Sequence, residues 1–269
     1  TMQNFVFENP TKIIFGKGSI ARIGPEVKRF GGRVLMVYGM GSVRISGVYE
    51  QVLNSLKEAG VDVVELPGVQ SNPLLSRAKE GIALARAKQV DAVLAVGGGS
   101  VIDTAKTIAA GVKADHDPWE FFVYTKLVKD ALPVLVVLTM SASASEMNAA
   151  AVITNDETRQ KFSVRSPLIQ PRTSILDPEV LYTVTPAYTA YSAVDIVTHM
   201  LEGYFTNTEP GESPLQDRMV YAFMKTIMEA TAKSLADPRD YDARANFMWS
   251  GTLAFNGLTT AGMGIVGFP

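Results

Sequence analysis

At 269 residues, 47% of them hydrophobic and with no low-complexity tract, the chain is long enough to bury a sizeable core in one large domain or two smaller ones. A formal net charge of −2, with acidic and basic residues interspersed, leaves no extended positive field, which argues against nucleic acid or a membrane as partner and for small molecules. The absence of cysteine removes disulfides, thiolate catalysis and cysteine metal sites; with no basic, apolar leader at Thr1–Phe5, a cytoplasmic location is expected.

Up to about Pro171, short apolar strands alternate with helical patterns. Arg33–Tyr38 reads as a strand, Gly47–Ala59 as a helix, Val61–Leu66 as a strand and Pro73–Lys88 as a helix. Val90–Val96 is a buried strand, a helix opens at Ser100, and Pro133–Thr139 is a further buried strand. This βαβ rhythm implies a doubly wound parallel sheet, which binds ligands at its carboxyl edge. From Thr185-Pro186 onward the pattern is helical, with Thr185 as N-cap and Pro186 in the first turn. Further helices are expected near Ser213–Leu235 and Tyr241–Leu258. Gly251–Pro269 is uncharged, but Asn256, Thr259, Thr260 and its glycines make it a poor membrane span. The apolar run Gly262–Pro269 is unlike a usual domain end, and the expectation is a chain cut short there.

Two constellations carry chemistry. The first is the turn Gly97-Gly98-Gly99-Ser100 after a buried strand. Its glycines let the backbone turn tightly with amides exposed, while Ser100 as N-cap and Asp103 three residues later form a capping-box pattern. The remaining first-turn N–H groups would then face an anion, and a pyrophosphate fits. An ordinary strand-to-helix turn reads the same way, and neither G-x-G-x-x-G nor a Walker A lysine is present. The second is Asp195 and His199, one helical turn apart on one face, a geometry that suits a metal and equally a surface ion pair. The only other histidine, His116, sits in Asp115-His116-Asp117-Pro118-Trp119, a sequence that reads as a solvated turn.

The chain resembles an iron-containing alcohol dehydrogenase of the butanol dehydrogenase or broad-specificity aldehyde reductase type. The resemblance rests on Asn4-Phe5 with Thr11–Gly18, Asn72-Pro73, the triple-glycine loop, Thr139–Asn148, Leu176-Asp177-Pro178, and Asp195 with His199. It implies a dinucleotide-binding α/β domain over residues 1–184 and the first part of an all-helical, metal-binding domain over 185–269. Gly97, Gly98, Gly99 and Ser100 would hold the cofactor pyrophosphate. Asn72, Asp103, Thr139, Ser143, Asn148 and Lys161 would surround the ribose and nicotinamide. Where the family reads close to L-P-A-T-G-S-E, this chain has Met140-Ser141-Ala142-Ser143-Ala144-Ser145-Glu146. Ala144 in the glycine position makes a positive φ harder to reach, so a tighter or displaced loop is expected.

After the strand Val34–Tyr38 stands Gly39-Met40-Gly41-Ser42, with no acidic residue to bond ribose hydroxyls or repel a 2′-phosphate. Gly39 and Gly41 permit close backbone approach, Ser42 can donate, and Arg44 is near enough to supply charge, so NADP(H) is expected over NAD(H). By resemblance, Asp195 and His199 are two of four ligands to a divalent metal, Fe2+ or alternatively Zn2+, with two more histidines expected after Pro269. The implied activity is hydride transfer between NADP(H) and a small primary alcohol or aldehyde, impaired here by the short ligand set. Apolar helical faces left bare lead to the expectation of a homo-oligomer. The alternatives are a non-enzymatic nucleotide-binding fragment that self-associates and a related polyol dehydrogenase.

Overall fold

The computed structural model describes residues 2–206 and 213–263. They fall into two compact units. One comprises residues 10–139 and 149–177; the other gathers the segment up to Asn9, Met140–Asn148 and the chain from Pro178 onward.

The first unit is α/β. In chain order it holds β1 (Lys12–Phe15), α1 (Ile23–Lys28), β2 (Arg33–Gly39), α2 (Ser42–Ile45), α3 (Val48–Glu58), β3 (Asp62–Val69), α4 (Leu75–Lys88), β4 (Ala92–Gly97) and α5 (Gly99–Val112). Then follow α6 (Trp119–Phe122), β5 (Val134–Leu138), β6 (Ala150–Asn155), β7 (Gln160–Arg165) and β8 (Thr173–Leu176). The main sheet has the order β1-β8-β5-β4-β2-β3, and all its pairings are parallel. β4 and β5 are buried along their whole length, as expected for runs of Val, Leu and Ala covered on both faces by helices. On one such face α4 and α5 approach so closely that a Cβ at Gly81 would stand 2.3 Å from Ile108 Cδ1, and one at Gly111 2.2 Å from Ile82 Cδ1. Nearby, β6 and β7 form a separate antiparallel hairpin.

Strands β2 to β5 and helices α3 to α5 arise where the alternation of patterns places them, with ends shifted by a few residues. The α4 helix opens at Leu75 rather than Pro73, and β3 runs on to Val69. The first and last strands, β1 and β8, tie the unit together. Lys12 Nζ lies 2.5 Å from Glu26 Oε1, Arg29 and Thr173 also donate to Glu26, and Gly18 N–H donates to Asp177 Oδ2 at 2.7 Å. Burial pushes the Glu26 carboxyl up, but these donors outweigh it and hold it below the usual carboxylate range.

The second unit is helical: α7 (Pro186–Phe205), α8 (Pro214–Ala236) and α9 (Tyr241–Ala254). Thr185 caps α7 as its sequence indicates, its hydroxyl accepting from Tyr188 N–H at 3.3 Å. Asp240 caps α9 in the same way, and α9 stops at Ala254, short of Leu258. Helix α8 packs against both α7 and α9, with Ile196, Met200, Ile227, Phe247 and Met248 buried. Buried Arg244 joins the ends, donating to Thr189 Oγ1 at 3.0 Å and Pro238 O at 3.1 Å. No helix among the described residues is long and apolar enough to cross a membrane, and residues 264–269 of the apolar run lie outside them.

Candidate functional site

The strand order reverses at β2. The chain leaves β2 for β3 on one side, then recrosses to β4 on the other, so the loops after β2 and β4 diverge at the carboxyl edge. This is the switch-point crevice where open α/β sheets take ligands. Gly39 ends β2, Gly41 precedes α2, Ser42 opens it and is exposed, and Gly97-Gly98-Gly99-Ser100 follows from β4. Asn72, after β3, and Thr139, after β5, lie at the same edge; Thr139 N–H donates to Gly97 O at 3.1 Å.

At the head of α5 the geometry departs from the expected cap. The N-cap is Gly98, the helix starts at Gly99, and no side chain caps it. Ser100 is therefore a first-turn residue rather than the cap. Asp103 does not close a capping box; its Oδ2 accepts from Val152 N–H at 3.0 Å and pins the β6–β7 hairpin to α5. The sequence pattern is satisfied, but the cap falls two residues early, which moves Asp103 out of reach of the cap amide. The outcome still favours an anion. Val101 and Ile102 N–H both donate to Gly98 O, whereas Gly99 and Ser100 N–H have no acceptor among the described residues, and the first turn holds no acidic side chain. The geometry thus fits the pyrophosphate of a dinucleotide. Gly97 serves packing: a Cβ there would lie 2.5 Å from Val101 Cγ2.

Around this edge, Asn72 adopts φ +55°, and its Oδ1 accepts from Lys161 Nζ at 2.9 Å, joining β7 to the turn after β3. Ser143 and Asn148 belong to the helical unit, where Asn148 Nδ2 donates to Ser143 O at 3.4 Å. Between them Ala144 is fully buried and takes φ +53° despite its Cβ, so the turn a glycine would make is kept, at a cost of about 1 kcal/mol.

On α7, His199 Nε2 stands 3.9 Å from Asp195 Oδ1, and the His199 ring stacks on Phe255 with centroids 4.9 Å apart. His199 Nδ1 is buried without a hydrogen-bond partner. Two oxygen and nitrogen donors at this separation can converge on one cation. No group of three or more candidate ligands occurs among the described residues, fewer than a catalytic metal centre holds. His116 is partly buried, with its ring edge-on to Phe121 at 4.8 Å. It is a packed turn residue.

Two sets of contacts were not legible in the sequence. Phe255 fixes the plane of His199 from the far end of α9. Beside α2, Arg44 donates to the Tyr38 hydroxyl and lies over the Tyr49 ring, and both tyrosines bond Glu65 of β3. These partners come from different elements, so no helix or strand period announces them.

Residues 10–178 match the family model for iron-containing alcohol dehydrogenase, and residues 189–267 that for the C-terminal part of the Fe-containing alcohol dehydrogenase family. The chain belongs to the iron-containing alcohol dehydrogenase family, whose members are oxidoreductases that use iron and NAD(P). It is 48% identical to the probable NADH-dependent butanol dehydrogenase 2 of Bacillus subtilis, over 97% of this chain and 66% of the relative. It is 41% identical to the NADPH-dependent aldehyde reductase YqhD of Escherichia coli, over 97% and 67% respectively. The crystal structure of NADH-dependent butanol dehydrogenase A from Thermotoga maritima superposes with a TM-score of 0.93 at 45% identity, covering 97% of this chain and 65% of that one. The chain thus spans about two thirds of the length of the relatives it matches, just under that for the B. subtilis protein.

Proposed function

We propose that this chain is an oxidoreductase that carries NADP(H) on its α/β unit and takes part in hydride transfer to or from a small primary alcohol or aldehyde. The observation that carries this reading is the acceptor-free amide pair of Gly99 and Ser100 at the switch point of a parallel sheet. The pyrophosphate would rest there. Gly39, Gly41 and Ser42 would face the adenosine ribose, and Asn72, Asp103, Thr139, Ser143, Asn148 and Lys161 would line the rest of the cofactor. The absence of an acid in the turn after β2 supports NADP(H) over NAD(H).

Asp195 and His199 would contribute two ligands to a divalent ion, iron by family membership. Bound iron supplies Lewis acidity at the substrate oxygen. Phe255 would hold the imidazole plane toward Asp195. With two donors the ion is held weakly, so turnover by this chain is expected to be low. That same donor count favours a second reading, a nucleotide-binding fragment without turnover. The large apolar side chains exposed on α7 and α8, among them Tyr191 and Tyr221, support self-association into a homo-oligomer.

NADPH-dependent reduction of butyraldehyde with added Fe2+, run beside a calorimetric NADPH titration, separates the two readings. Binding with turnover that falls in Asp195→Ala and His199→Ala supports the first. Binding with no turnover supports the second, and no binding defeats both.

A further inference from the structure

The corner beyond the carboxyl end of β2 carries a four-residue side-chain network. Arg44 Nη2 donates to the Tyr38 hydroxyl at 2.8 Å, and that hydroxyl donates to Glu65 Oε2 at 2.6 Å. Tyr49 Oη lies 3.0 Å from each Glu65 oxygen, and Arg44 Nη2 stands 3.6 Å from Glu65 Oε2. The Arg44 guanidinium carbon sits 3.9 Å from the Tyr49 ring centroid and 5.6 Å from that of Tyr38. The guanidinium therefore rests on an aromatic platform with one edge anchored, while its side chain stays 52% exposed. Three residues before it, a Cβ added at Gly41 would meet nothing within 4 Å, so space is open beside the turn. Burial and the adjacent Glu65 carboxylate keep both phenols protonated, so they remain donors to Glu65.

We propose that Arg44, aimed by Tyr38, Tyr49 and Glu65, is the group that selects a 2′-phosphorylated adenosine, and that Glu65 sets the strength of that selection. A planar guanidinium offers paired donors that match phosphate oxygens. Glu65 acts through Arg44: it fixes the orientation and cancels part of the charge that a phosphate would meet. This inference rests on the dinucleotide reading above.

The test is calorimetric titration of the chain with 2′,5′-ADP and with 5′-AMP, which differ at the 2′ position. Arg44→Ala is expected to weaken 2′,5′-ADP roughly tenfold or more and leave 5′-AMP unchanged, as loss of a charge-assisted phosphate contact requires. Glu65→Gln keeps an acceptor for both tyrosines but removes the competing charge, and is expected to tighten 2′,5′-ADP by roughly threefold, again without change in 5′-AMP. Tyr49→Leu removes the platform and is expected to weaken 2′,5′-ADP alone. Equal effects on both ligands, or none in Arg44→Ala, would overturn the assignment. If the unaltered chain binds 5′-AMP but shows no gain from the 2′-phosphate, the nucleotide site stands and the Arg44 inference falls. If it binds neither, the dinucleotide reading itself fails.

Discussion

In the α/β unit, β4 and β5 bury unbroken apolar runs, and the groups that can do chemistry gather at the carboxyl edge as backbone N–H and short polar side chains. The helical unit does the reverse. It buries Arg244 against Thr189, and Glu146 against Thr252 with Oγ1 2.5 Å from Oε1, while Tyr188, Tyr191, Val194, Tyr221 and Met228 stand exposed. A parallel sheet satisfies its own backbone, so the central strands β4 and β5 need shape alone, the unit's large buried polar side chains Glu26 and Lys106 stand on helices, and function there is a matter of which amides the turn leaves open. Helices packed on one another take their register from individual buried polar contacts, so single side chains matter more to that unit.

The largest effect that can break this contrast is expected at Arg244. Burial depresses its guanidinium below the ordinary range, no carboxylate pairs with it among the described residues, and its bonds run to a hydroxyl and a carbonyl. Arg244→Ala should cost about 2–4 kcal/mol in urea unfolding, through lost packing as well as lost hydrogen bonds. A cost below about 1 kcal/mol would remove the contrast. Next comes Gly97→Ala, where the new methyl meets Val101: a loss of about 1–3 kcal/mol is expected, together with weaker NADPH binding. Unchanged stability would show that the head of α5 shifts freely.

Glu26 sharpens the comparison through pH. Its carboxyl lies lower in the folded chain than its ordinary value of 4.5, so the stability it adds is present above that pH and is lost as the pH falls through the folded value. Glu26→Gln should therefore flatten the fall of the melting temperature below about pH 4.5 while lowering it at neutral pH. An unchanged acid limb would deny this cluster its role. The smallest effect is expected at Ala144→Gly, which relieves a left-handed alanine and should stabilise by a few tenths to about 1 kcal/mol, measured by the shift in unfolding midpoint.

Strands β2 to β5 were legible because each carries enough Val, Leu and Ala to stand out as an apolar run. β1 and β8 were not: four residues each, with Lys12, Thr173 and Ser174 among them, they are too short and too polar for a pattern to emerge. Thr173 and Ser174 are buried because β8 lies between β1 and β5, a pairing known only from the fold. At the candidate site the glycine turn and the Asp195–His199 spacing can be read directly. The cap falls at Gly98 rather than Ser100 because Gly99 and Ser100 already lie inside the helix, and a sequence does not fix a helix end to within one or two residues. Phe255 and Glu65 escape a sequence reading because stacking and hydrogen bonding across elements leave no local period.

Amide-resolved NMR titration of the chain with NADPH reports on the head of α5 itself. Saturable shifts are expected, largest at Gly98, Gly99 and Ser100, with a second group at Gly41 and Ser42. Binding whose shifts fall elsewhere, with the head of α5 unmoved, would contradict a pyrophosphate seated there.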